Sequence, residues 1–142
     1  MHHRYQYYVS YNCLSMRQTG RQQQVLQEFR NAKIVCLQGT RDRAMSGKPV
    51  HVTKTNGFTI VKTGYMQTSN SHSGVTIAIN NSIVPEKCIH SICYAEGRYK
   101  IWQGKNLAVR TRSTTCDSMH INMYFPPQGV KNEIMVCKLM LE

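Results

Sequence analysis

IVCLQGTRDR, residues 34–43, is the stretch on which the reading of this chain turns. Ile34, Val35, Cys36 and Leu37 form an unbroken apolar run, as a buried strand requires. Gln38, Gly39, Thr40, Arg41 and Asp42 follow with no transition. An apolar strand that gives way abruptly to a polar loop is a common address for an active site in α/β proteins. The residues on either side fix what kind of sheet the strand belongs to.

Upstream, YQYYVSYNC alternates, with Tyr5, Tyr7, Val9, Tyr11 and Cys13 on one face, which predicts a strand. RQQQVLQEFRN then sets Val25, Leu26 and Phe29 at helical spacing among glutamines, predicting an amphipathic helix of about three turns. Strand, helix and strand in this order make a βαβ unit, whose strands run parallel. Parallel strands end on the same sheet edge, so Asn12 and Gly39 are expected to be neighbours.

Downstream, residues 42–57 read as polar loop with an Asn56-Gly57 turn signal. Apolar or alternating runs predict strands over FTIVKT (58–63), GVTIAI (74–79), IHSICYA (89–95), NLAVRTR (106–112) and SMHINMY (118–124). In NLAVRTR, Leu107, Val109 and Thr111 oppose Ala108, Arg110 and Arg112. The Asn80-Asn81 pair reads as a turn. VKNEIMVCKLMLE, after FPPQG, reads as a helix with Ile134, Cys137 and Leu141 on one face.

At 142 residues the chain has the length of one domain, and 41% hydrophobic with 18% charged residues fits a folded chain. No apolar run approaches the roughly 18 residues of a membrane span. The N-terminus MHHRYQYYVSYN lacks the apolar core of a secretory signal. The expectation is an intracellular, non-secreted chain, with the nucleus as a candidate compartment. Its 18 Lys and Arg against 7 Asp and Glu give a net charge of +11. That balance points to a polyanionic partner, most simply nucleic acid, or to a basic solvated surface. The charges are scattered, which favours a folded basic face over a disordered arm.

Six cysteines in an unsecreted chain read as free thiols. CIHSIC (88–93), with Cys116 and His120, raises a zinc reading. The spacing matches no standard finger, and in a strand Cys88 and Cys93 point to opposite faces.

The order of YNCLS, IVCLQGTR, GVTIAI, LAVRTR and HINMYFPPQG resembles the endonuclease/exonuclease/phosphatase superfamily of DNase I-like metal phosphodiesterases. The likeness is closest to the apurinic-type endonucleases of non-LTR retrotransposons. Tyr11-Asn12 matches the first-strand pair whose Asn is catalytic in that family. Leu37-Gln38-Gly39-Thr40 matches its L-Q-E-T, and Tyr124-Phe125-Pro126 its Y-x-P with an active-site Tyr. The resemblance implies a four-layer α/β (α+β) fold, two stacked sheets flanked by helices, of which residues 1–142 form a C-terminally truncated part. The family's later G-D-x-N and S-D-H motifs have no counterpart in the sequence.

By that resemblance, Asn12 and Tyr124 are the candidate catalytic residues, and Arg41 and Arg43 the candidate contacts to DNA phosphates. Asn12 as a turn cap and the two arginines as solvated charges are the alternatives. The family cofactor is Mg²⁺, a hard cation that takes oxygen ligands, usually including one or two carboxylates. Gly39 stands where the family's metal-binding Glu is expected and offers no side-chain oxygen. Asp42 could substitute only if its loop rearranged. The implied chemistry is phosphodiester hydrolysis, lost in this chain, with a non-catalytic nucleic-acid-binding module as the alternative. Missing strands would also leave a sheet edge exposed, predicting marginal stability or self-association.

Overall fold

The computed structural model describes residues 6–44, 48–65, 73–94 and 104–124. Within these residues the chain is mixed α/β, dominated by two sheets. β1 (Tyr8–Asn12) is followed by α1 (Arg21–Glu28) and β2 (Ile34–Gln38). β1 and β2 pair in parallel, with Ser10 opposite Cys36 and Asn12 opposite Gln38. The predicted βαβ unit is therefore present. α1 is two turns rather than three: Gly20, at φ +81°, opens it, and at Phe29 the backbone leaves helical geometry.

β3 (Val50–Thr55), β4 (Phe58–Thr63) and β5 (Val75–Asn80) complete a sheet ordered β1-β2-β5-β4-β3. β3 lies where a polar loop is expected from the sequence. It is an edge strand, with Val52 47% exposed, so it buries too little to write an apolar pattern. The Asn56-Gly57 turn joins it to β4, with both residues at positive φ. That geometry suits a tight hairpin, because it matches the right-handed twist of the paired strands. β6 (Ile89–Cys93), β7 (Asn106–Arg112) and β8 (Asp117–Met123) form an antiparallel three-stranded sheet.

Two cores hold these layers together. On the helix side, Val25 and Leu26 of α1 pack with Val35, Leu37, Phe58, Ile60 and Ala78. Between the sheets, Ile34, Val61, Val75, Ile77 and Ile79 pack with Leu107 and Val109. Fully burying one such side chain is worth about 1.5–3 kcal/mol. β7 packs over β5 and β4, and β8 over β2 and β5. The main contacts of the second sheet therefore stop short of β1: the Tyr8 ring stacks on His120 of β8 at 6.0 Å, and Ser10 and Asn12, which share the inner face with Cys36 and Gln38, line an open space beside it. Among the described residues the order is helix, five-stranded sheet, three-stranded sheet. The helix read at 130–142 and Phe125-Pro126 fall outside them.

Candidate functional site

The uncovered inner face of β1 becomes a cleft of about 660 Å³, floored by Cys36 and Gln38 and walled by β1 and the end of β8. Asn12 and Tyr124 both line it, as does Gln38. The structure thus brings two candidate residues, 112 positions apart in the sequence, to one cavity beside Gly39. No charged side chain lines it among the described residues.

Gln38 and Asn122 hold the cleft's inner wall. Asn122 is 2% exposed, and its Nδ2 donates to the carbonyl oxygens of Leu37 (2.9 Å) and Thr76 (2.7 Å). Its Oδ1 accepts a 2.8 Å bond from Gln38 Nε2, which also lies 3.1 Å from Ser10 Oγ. One side chain on β8 therefore satisfies carbonyls of β2 and β5 and locks the two sheets in register. Leaving those buried carbonyls unpaired would cost about 1–3 kcal/mol each. Sequence reasoning missed Asn122. Its signal was the alternation of SMHINM, which places Ser118, His120 and Asn122 on one face; the polar residues proved to be the inward ones.

Gly39 adopts φ +66°, a left-handed conformation that costs other residues about 1–2 kcal/mol. A methyl group at Gly39 would lie 2.9 Å from Asn12 Oδ1. The expected neighbourhood of Asn12 and Gly39 is present, and the Asn12 amide occupies the space into which a side chain at 39 would grow. Asn12 Oδ1 also accepts a 3.3 Å bond from the Leu14 amide, so the turn-capping alternative describes what this side chain does. Leu14 and Arg41, in the loops leaving β1 and β2, both sit at φ 58°.

Asp42 cannot serve the cleft from its present position. Thr40, fully buried, donates its amide to Gly74 O (3.1 Å) and accepts at its carbonyl from the Met16 amide (2.8 Å), while the Arg41 amide bonds Ser73 O (2.8 Å). This lacing turns Asp42 to a separate small cavity beside Lys62 and Gly64. Burial there raises its carboxyl above the usual value of 3.8, partly offset by Lys62, Thr40 and Arg17. Cys36, on the cleft floor, is pushed up to about 11 by burial, so its thiol stays protonated and unreactive. Five of the cysteines, Cys13, Cys36, Cys88, Cys93 and Cys116, are free thiols.

Mg²⁺ requires hard oxygen donors with carboxylate charge among them. The cleft offers amide and hydroxyl oxygens but no carboxylate among the described residues, so this donor set does not fit the ion. Nor do any three His, Cys, Asp or Glu side chains converge among those residues, which leaves the zinc reading without a ligand cluster.

Arg41 is half-buried and Arg43 exposed; neither lines the cleft, but both lie on the loop at its end of the sandwich. Arg17 joins them, donating from Nε to Arg41 O at 2.7 Å and lying over the Tyr65 ring at 5.3 Å. None of the three arginines has a carboxylate within salt-bridge distance among the described residues. Their convergence was not legible, because Arg17 and Arg41 meet across 24 positions. No helix among the described residues is long and apolar enough to cross a membrane. No family model and no curated protein matches the chain.

Proposed function

We propose that the chain is a catalytically silent part of a DNase I-like endonuclease domain, related to those of non-LTR retrotransposons, that binds DNA without cleaving it. The observation that carries this reading is the cleft itself. Asn12, Gln38 and Tyr124, three residues from the three matching motifs, meet in one cavity beside Gly39, where the metal carboxylate of the family would stand. Hydrolysis of a phosphodiester needs an activated water and a stabilised phosphoryl charge. Among the described residues the cleft has no carboxylate for a metal. The four-layer sandwich belongs to the same proposal, as does an intracellular, nuclear setting.

Binding is supported by charge. Arg17, Arg41 and Arg43 crowd the loops at the cleft's end, within a chain of net charge +11. Phosphate contacts of this kind release counterions from DNA, so affinity should fall by about 10³-fold or more between about 50 and about 200 mM salt if some six phosphates are engaged. Fluorescence anisotropy of a labelled duplex with the pure chain measures this. A salt-independent affinity, or none at low salt, would remove the DNA-binding half of the proposal.

A further inference from the structure

A second cavity, of about 340 Å³, opens at the opposite end of the sandwich from Asn12 and Tyr124. It lies between the start of β2 and the β7–β8 turn, where Arg112 pairs with Asp117 in the strand register. Its floor is apolar, with Val84 6% exposed. Its walls carry two cations, Lys33 and Arg112, and hydroxyls that include Thr111, Ser113, Thr115 and Ser118. No carboxylate lines it among the described residues.

The two cations are under-neutralised for identifiable reasons. Asp117, the acid nearest Arg112, is taken by Arg110 in a two-point contact, Nε to Oδ1 at 2.8 Å and Nη2 to Oδ2 at 2.5 Å. Arg112 reaches the same carboxylate only through Nε, at 3.6 Å. Its remaining guanidinium N–H groups are left to meet another anion. Lys33 has no salt bridge among the described residues and lies over the Tyr8 ring, 5.8 Å from its centroid. The turn that carries the hydroxyls is internally braced. Ser113 Oγ accepts from the Thr115 and Cys116 amides, at 3.4 and 3.1 Å, so the wall holds its shape without a ligand.

We infer that this cavity is a binding pocket for a phosphoryl group, gripped by Lys33 and Arg112 and hydrogen-bonded by the Thr115 and Ser118 hydroxyls, while Ser113, which donates to Cys116 O at 3.2 Å, braces the turn. Two separate cations and several hydroxyls, with the nearest carboxylate, Asp117, outside the lining and bound in two-point fashion by Arg110, are the complement of a tetrahedral oxyanion. The volume is in the range of small-ligand pockets, enough for the phosphate to bring a sugar or base with it. The pocket is independent of the DNA-binding surface on the Arg17–Arg43 loops and stands whether or not that surface binds duplex.

Backbone amide shifts of the ¹⁵N-labelled full chain, titrated with inorganic phosphate at constant ionic strength, test it. Saturable shifts concentrated at residues 111–118 are expected. Arg112→Gln and Lys33→Ala should each weaken binding about tenfold, and Lys62→Ala, at the other end of the sheet, should leave it unchanged. A 5′-phosphorylated dinucleotide that binds more tightly than phosphate assigns the group to a nucleotide; equal affinity assigns it to free phosphate. Either outcome supports the pocket. Shifts that never saturate, or that appear equally around Lys62, would overturn it. So would unchanged affinity in both variants when their amide spectra are those of the folded chain.

Discussion

Gly39 sits at the end of β2 with φ +66°, and the tip of the Asn12 side chain, whose Oδ1 would lie 2.9 Å from a Cβ placed there, must move to admit any side chain. Introducing at this position the carboxylate that the proposed relationship expects is therefore not a neutral change. Gly39→Glu must bear the left-handed backbone and turn Asn12 aside, breaking its 3.3 Å bond from the Leu14 amide. Together these should cost about 1–3 kcal/mol. A urea denaturation midpoint that falls by that amount, with Gly39→Ala falling comparably, is the expected result. His120 supplies a pH dependence. Desolvation, then the charge of Lys33, holds its pKa below 6.5, and its Nε2 lies 3.0 Å from Thr111 Oγ1. The folded chain takes up this proton less readily than the unfolded chain does. Its contribution to stability is thus level at higher pH and declines as pH falls through 6.5 toward the folded pKa. Urea midpoints at about pH 7.5 and about pH 5.5 should differ less in His120→Gln than in the parent.

The elements differ in how openly the sequence declares them. β2, β4 and β5 are buried on both faces, and β7 nearly so, so their apolar runs were legible. The βαβ unit followed from a change of period, two in YQYYVSYNC and helical in RQQQVLQEF. β3 was hidden because it is an edge strand carrying His51 and Lys54, and it is set by its turn more than by its burial. Gly57, at φ +78°, has open space around its Cβ position, so Gly57→Ala tests backbone conformation with no clash. A loss of about 1 kcal/mol is predicted, read from the same urea transition. The candidate site was half legible. Motif order singled out Asn12, Gly39 and Tyr124 as candidates, and the parallel pairing of β1 with β2 explains why the first two meet. The bond from Gln38 to Asn122 spans 84 positions and depends on how one sheet stacks on another, which no local pattern encodes.

At the scale of the whole molecule, the four sheet edges found among the described residues are not treated alike. β3 carries Lys54, paired with Glu86, and β6 is broken by an irregularity between Ile89 and Ser91; charge and bulges are both means of blocking edge pairing. β1 has neither: it bears no charge and exposes Tyr8 (57%) and Tyr11 (38%). On β8, Met119 and Ile121 are 50% and 37% exposed. Self-association through the β1 side is the expected consequence. Sedimentation should reveal species larger than the monomer that Ser10→Lys reduces, and the urea midpoint should rise with protein concentration. A monomer with a sharp, concentration-independent transition would argue against it. Incubating supercoiled plasmid with the pure chain and Mg²⁺, with and without EDTA, reads directly whether the proposed DNA-binding cleft is without metal-dependent cleavage. No nicking above the protein-free control is expected in either condition; EDTA-sensitive conversion to the open-circular form would overturn the proposal.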